Sequence, residues 1–385
     1  MSVAVAARST TLQSARKLKA TIEKFAADLP YKREPYSSRS WGHSLHSLCC
    51  YQGKLKPAVA YTLVSLFTQE GMLVLDPLGG VGTVAFEACL QGRRGITNDL
   101  SPLAYAVATP KVRLPKLPDA LTALDTFQAG LRQENISEID FESARFGLNG
   151  SVSDFYHQDT LIEVLKARRY FLSIKPSDAD LLVKAAMLHV LHGNRPYALS
   201  RTSHPITPFH PSGKAIRKSV VEHVRRRILR LYKSELPKTY CHGHSHHADF
   251  RDLPDRHELV DGIITSPPFW GMRFDRPNWL RMWFCGWNAE DFHVASRAFL
   301  ERQQTVSLEV YRKFFEVCRK LLIPGGLMIL HLGGSDKHDM LATLIAQARD
   351  QFEVLSVVAE DSTKHERHGI KDKGLTTTHN FIFLR

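Results

Sequence analysis

"MLVLDPLGGVGTVAFEACLQG", residues 72–92, decides how this chain folds. Met72–Leu75 is a short apolar run, as expected of a strand buried on both faces. Asp76 and Pro77 end it. Gly79, Gly80 and Gly82 then let the backbone turn sharply and approach a ligand closely. "TVAFEACLQ" reads as a helix stopped by Gly92. "RGITNDL", residues 94–100, is a second short strand. Strand, loop, helix and strand in that order open a parallel, doubly wound sheet, so the fold class is α/β, Rossmann-like.

Outward from that unit the pattern changes. Upstream, "PAVAYTLVSLF" is a helix with Pro57 in its first turn. A basic helix is expected at about 9–28; its lack of acids before Glu23 faintly resembles a transit peptide, the weaker reading. Downstream the alternation stops. Residues 115–235 look mainly helical, in "DTLIEVLKARRYFL", "DADLLVKAAMLHVLHG" and the basic "AIRKSVVEHVRRRILRLYK". Sheet patterning resumes at "HADFRDL" and "LVDGIITSPPF". A helix, a Pro-Gly-Gly turn and a strand follow over 310–333. "FEVLSVVAE" and "THNFIFLR" suit an antiparallel hairpin. The expected organisation is an extension at 1–45, a catalytic domain at 46–112 and 246–385, and a helical insertion at 113–245.

The 385 residues allow one or two domains. No apolar run reaches the roughly 18 residues that cross a membrane. A net charge of +12 favours a polyanionic partner. Six cysteines, two of them adjacent, make no disulfide framework, and a reducing cytoplasm is expected.

The glycine loop departs from the dinucleotide pattern G-x-G-x-x-G, and its leading acid would repel a pyrophosphate. A ligand carrying a cation, such as the amino group of a methionine moiety, suits Asp76 better. Asp99, at the end of the second strand, stands where an acid bonds ribose hydroxyls. The loop alone would support only a glycine turn. "TSPPFW", residues 265–270, changes the balance. Two prolines give a rigid corner without donors. Ser266 adds a hydroxyl, and Phe269 an aromatic face for a flat ring. Acceptors without donors suit an exocyclic amino group on a base.

"DPLGGVGT" paired with "TSPPF" resembles the amino-group DNA methyltransferases that use S-adenosylmethionine, the bacterial N4-cytosine modification methylases above all. "YQGKLKP", "NDLSPLA" and "ADFRDL" look like further pieces of that family. Leu78 and Phe269 depart from it, since an aromatic and a tyrosine are usual there. The resemblance implies a seven-stranded sheet with a large helical insertion as target-recognition region. It implies S-adenosylmethionine held by Asp76, Gly80 and Gly82, with Pro77, Gly79 and Thr83 in the same loop, by Asp99 at the ribose and by Asp249 at the adenine. Ser266, Pro267, Pro268 and Phe269 would take a cytosine flipped from double-stranded DNA. A restriction endonuclease is the candidate partner. Adenine N6, guanine N2 in RNA and a non-catalytic binding subunit are the alternatives.

Weaker signals remain. "CHGHSHH", residues 241–247, is too compressed for a structural zinc site and reads as a polar loop; no metal is expected. Trp279, Trp283 and Trp287 recur at helical spacing and read as core. Arg217, Lys218, Arg225, Arg226 and Arg227 are candidate nucleic-acid contacts, against a solvated helix face.

Overall fold

The computed structural model describes residues 15–38, 40–204, 207–255, 258–334, 340–361 and 378–385. A seven-stranded sheet in the order β3-β2-β1-β4-β5-β7-β6 forms its centre. The strands are β1 Leu73–Asp76, β2 Arg94–Asp99, β3 His244–His247, β4 Val260–Thr265, β5 Leu322–Gly334, β6 Val354–Asp361 and β7 Thr378–Leu384. β1 to β5 are parallel, and β7 runs antiparallel between β5 and β6. The fold is α/β, as the glycine-loop unit predicts. The first β-strand starts the sheet at its middle, so the strand order reverses between β1 and β4. Open α/β sheets bind ligands at that reversal, beyond the carboxyl ends of the strands.

β1 and β4 are buried along their whole length, which is why they read as largely apolar runs; Asp261 inside β4 accepts from the Leu73 amide at 2.7 Å. β3 is the exception. It lies within "CHGHSHH", three residues before the predicted strand. As an edge strand its side chains reach solvent, so histidine and serine replace the expected apolar alternation.

Helices cover both faces. α1 Ala15–Asp28 and α2 Pro57–Phe67 flank the sheet on one side with Phe25, Phe67, Phe381 and Phe383. The part of the expected N-terminal helix before residue 15 lies outside the described residues. α3 Thr83–Leu90 follows the glycine loop, and α4 Pro102–Val112 follows β2. Between β2 and β3 run α5 Leu117–Gln133, α6 Glu138–Arg145, α7 Gln158–Ser173, α8 Asp178–Leu191 and α9 Val220–Leu231. α8 is buried from Leu181 to Leu191, so it is the axis around which its neighbours pack.

α10 Trp279–Phe284 contributes the tryptophan stripe, and Trp279, Trp283 and Trp287 are core residues. Each of the first two still satisfies its indole N–H, on the carbonyls of Pro208 and Ser143. Buried Arg281 donates to the carbonyls of Leu188 and His192, capping the C-terminus of α8. The chain finishes with α11 Leu300–Val306, α12 Val310–Leu321 and α13 Met340–Ala348.

The sheet and α3 approach closely at one point. A Cβ at Gly95 would lie 1.9 Å from the carbonyl oxygen of Ala85. Gly95→Ala therefore has to push the helix off the sheet, and such overpacking costs about 1–3 kcal/mol. The expected result is a lower urea midpoint with an unchanged slope; an unshifted midpoint would show that β2 and α3 need no such closeness.

Candidate active site

β1 pairs with β4 on one side and β2 on the other, which brings the ends of all three together. The glycine loop, Asp99 and Ser266 thus converge from positions far apart in sequence. They line one cleft, open to solvent at its mouth.

The loop is held from several directions. Thr265 Oγ1 donates to Asp76 Oδ1 at 2.7 Å, and the Leu78 amide donates to the same oxygen at 3.2 Å. Lys111, fully buried in α4, donates to the Val81 carbonyl at 2.6 Å. Asn98 Nδ2 bridges the carbonyls of Pro77 and Ala248, both at 3.1 Å. Gly82 has φ +72°, and a Cβ there would meet Ala108 Cβ of α4 at 3.0 Å, so glycine alone fits the turn from the loop into α3.

The cleft is acidic. Asp76, Asp99, Asp249, Asp275 and Glu301 line it, and Lys54 is the one cation on its wall among the described residues. Lys54 Nζ is engaged by the His46 carbonyl at 2.7 Å. Asp99 accepts from the Gly80 and Ser101 amides at 2.9 and 2.8 Å, one bond to each oxygen. Asp249 pairs with Arg251 at 3.2 Å, and Asp275 accepts from Arg273 Nε at 2.8 Å. Burial raises the carboxyls of Asp76 and Glu301 to about 7 and that of Asp99 to about 6. Hydrogen bonds from Thr265 and Leu78 offset part of that rise at Asp76. A ligand with positive charge would restore these groups to the ionised form. The donor set therefore fits a cationic nucleoside, and the buried Asn98 Oδ1, which has no partner among the described residues, offers one more acceptor on the wall.

Of the residues predicted for the cofactor, Asp76, Gly79, Gly80, Thr83, Asp99 and Asp249 line the cleft, whereas Pro77 and Gly82 shape the loop behind it. Of the predicted base-binding residues, Ser266 and Pro268 line it, and Pro267 and Phe269 do not. Phe269 sits on Gly333 of β5, where a Cβ would come within 2.3 Å of its ring, and against His331 at 5.6 Å. Tyr51, Phe250, Phe274 and Phe299 line the cleft instead, with Tyr51 and Phe274 stacked 5.8 Å apart at 18°. Sequence reasoning assigned no role to Tyr51, Phe274, Asp275 or Glu301. "YQGKLKP" carried the only signal, for Tyr51.

Ser266 has a partner the motif does not reveal. Its Oγ lies 3.1 Å from His331 Nδ1, and His331 Nε2 lies 3.1 Å from His379 Nδ1. Burial, then the charges of His379 and Lys56, hold His331 at about 3, so the ring is neutral. In the tautomer with the proton on Nε2, the Ser266 hydroxyl donates to His331 and keeps its lone pairs for a ligand.

The predicted nucleic-acid residues divide. Arg225 pairs with Asp125 at 2.7 Å, Arg226 with Glu222 at 3.0 Å and Arg217 with Asp159 at 3.6 Å. Lys218 donates to the Ala198 carbonyl, and Arg227 to the Ser47 carbonyl. Arg217 and Lys218 precede α9 rather than lying on it.

Residues 46–143 match the family model described as RMKL-like, methyltransferase domain (UPF0020). The match and the sheet support a methyltransferase. No curated protein matches the chain. Among solved structures, TrmN from Thermus thermophilus is 14% identical with a TM-score of 0.36, over 87% of this chain and 50% of that one. The chain thus spans about half the length of TrmN. The rRNA methyltransferase aviRa from Streptomyces viridochromogenes is 12% identical with a TM-score of 0.35, over 92% of this chain and 93% of that one. Likeness at this level concerns the fold alone. No helix among the described residues is long and apolar enough to cross a membrane.

The carboxyl shifts give a pH dependence. Unfolded Glu301 gives up its proton near pH 4.3, roughly the free-glutamate value, whereas the folded chain holds it to about 7. Its contribution to stability is complete below the lower value and lost as pH rises through 7. Glu301→Gln, which stays neutral, is expected to raise the melting temperature at pH 8 relative to the parent and to change it little at pH 5. Equal shifts at both pH values would show that Glu301 is not buried as a destabilised anion.

Proposed function

We propose that the protein transfers a methyl group from S-adenosylmethionine to an exocyclic amino nitrogen of a nucleic-acid base. The observation that carries this reading is the acidic cleft at the β1/β4 reversal with Ser266 and Pro268 on its wall. When bound, S-adenosylmethionine supplies an activated methyl group, so no protein nucleophile is required. Asp99 would hold the ribose diol with the lone pairs its two backbone bonds leave over. Asp76 and Glu301 would face the positive charge, and Asp249 the adenine amino group. Tyr51 and Phe274 supply faces for a flat ring. Ser266 accepts a hydrogen of the target amino group while donating to His331, which keeps the nitrogen lone pair free. The remainder of the catalysis is positioning, which can contribute about 7–11 kcal/mol.

The family model matched over 46–143 is not that of the DNA modification methylases that the Ser-Pro-Pro corner resembles. We therefore put the amino group of an RNA base, guanine N2 foremost, ahead of cytosine N4 in DNA. The second reading keeps one support, the short neutral Ser266 followed by two prolines. The position of Phe269 beneath the corner removes the stacking argument that favoured it.

Two outcomes are expected. Asp99→Ala should weaken S-adenosylmethionine binding by roughly tenfold or more in calorimetry, since hydrogen bonds to a charged group contribute about 1.5–3 kcal/mol. Unchanged affinity would remove Asp99 from the cofactor site. Mass spectrometry of nucleosides, after incubation of RNA and of DNA with the purified protein, should find the methyl group in RNA. N4-methylcytosine in DNA alone would decide for the second reading, and methylation of neither polymer would sink both.

A further inference from the structure

α9 carries a second set of cations beside Arg225. Arg226, Arg227 and Arg230 stand at helical spacing on one side of it. They meet Arg195 from the loop after α8, Lys233 just beyond α9, and the turn at Ser44–Ser47 around a separate cleft. No carboxylate lines this cleft among the described residues. Arg226 is ion-paired with Glu222 at 3.0 Å, and the same carboxylate acts on His223 of this wall. Burial, then the charges of Arg227, Arg281, Arg230 and Lys54, hold the His189 ring well below its ordinary pKa, so the ring is neutral.

The walls also carry unmet hydrogen-bonding capacity. Ser44 Oγ, His189 Nδ1 and Arg227 Nε are buried without a partner among the described residues, and all three residues line this cleft. Buried donors are ordinarily satisfied. A group with several acceptor oxygens and a negative charge would meet this donor-rich wall, and arginine forks match phosphate geometry. Tyr197 adds a flat face, stacked on His189 at 4.6 Å and 12°. The ion pairs of Arg225 and Arg217 leave those two residues a lesser claim on an anion than Arg195, Arg227 and Arg230.

We propose that this cleft binds a phosphate group, supplied by the backbone of the substrate strand, with Arg195, Arg227 and Arg230 as its principal contacts. The strand as the source rests on the proposed function; the phosphate does not. The site lies outside the acidic cleft and shares no lining residue with it.

The test compares the full chain with the double variant Arg195→Gln, Arg230→Gln. Both side chains are exposed, so the fold should survive, as an unchanged melting temperature would show. One probe is a short fluorescent single-stranded RNA followed by polarisation across a salt series; the other is inorganic pyrophosphate followed by calorimetry. Expected is a loss of roughly tenfold or more in RNA affinity, as for lost charge-assisted bonds. The salt slope should fall by about 1.4, or about 0.7 for each charge removed on a single strand. Loss of pyrophosphate binding with RNA binding intact would keep the phosphate site and assign it to a free ligand. Unchanged binding and slope with both probes would overturn the proposal. If the parent protein binds no nucleic acid, the proposed function fails, and the pyrophosphate arm judges the cleft alone: loss in the variant supports it, and no difference overturns it.

Discussion

The hydrogen bond from Thr265 Oγ1 to Asp76 Oδ1 holds the two halves of the site in one register. Thr265 ends β4 and Asp76 ends β1, and the parallel pairing of those strands sets the two side by side. The bond ties the glycine loop to the Ser-Pro-Pro corner across the point where the sheet reverses. It is made in a buried place, where a neutral hydroxyl can stabilise a carboxylate without introducing a second charge. The Leu78 amide shares the same oxygen, so the loop leaves the strand in a fixed direction. Lys111 then holds Val81 from the helical side, and Asn98 holds Pro77 and the segment before Asp249. The protein's own groups thus fix the loop, and the remaining acceptor capacity points to a ligand.

The sequence makes the central strands, the glycine loop and the antiparallel finish legible, for a physical reason. Strands buried on both faces are largely apolar, and a loop that approaches a neighbouring helix as closely as Gly82 does must be glycine. The edge strand β3 obeys neither rule, since solvent tolerates its histidines, and pattern reading places the strand three residues late. Phe269 shows another limit. An aromatic after Pro-Pro reads the same whether its ring faces the cleft or lies beneath the corner. The deciding residue is Gly333, 64 positions later, whose missing side chain makes the space. Glu301, Asp275 and Phe274 escape notice similarly, because α11 and a loop, both distant in sequence from β1, bring them to the cleft.

The helices between β2 and β3 are legible as helices and not as a working surface. Periodicity identifies α9 as basic on most of its polar positions, Glu222 excepted, yet it cannot say which arginines meet acids. Asp125 and Asp159, on α5 and α7, neutralise Arg225 and the preceding Arg217. Arg217, Arg225 and Arg226 are thus paired with acids, while Arg227 and Arg230 have no ion pair among the described residues. A net charge of +12 predicts an anion somewhere; only the partners of each cation say where.

Under the proposed reading the methyl donor is a cation and the acceptor strand a polyanion, and the two make opposite demands. One cleft cannot meet both, because the carboxylates that favour the first repel the second. The fold separates them: acids gather at the carboxyl ends of β1, β2 and β4, and cations gather along α9. A short stretch of chain touches both. Ser44 and Ser47 line the basic cleft, while Tyr51, Gly53, Lys54 and Leu55 line the acidic one. Lys54 folds back to the His46 carbonyl, which braces the stretch internally. Under the proposed reading, that brace fixes how far a bound phosphate lies from the transferred methyl group. A distance set by covalent structure and a buried hydrogen bond costs no entropy at the moment of reaction, which is what positioning needs and affinity alone does not supply.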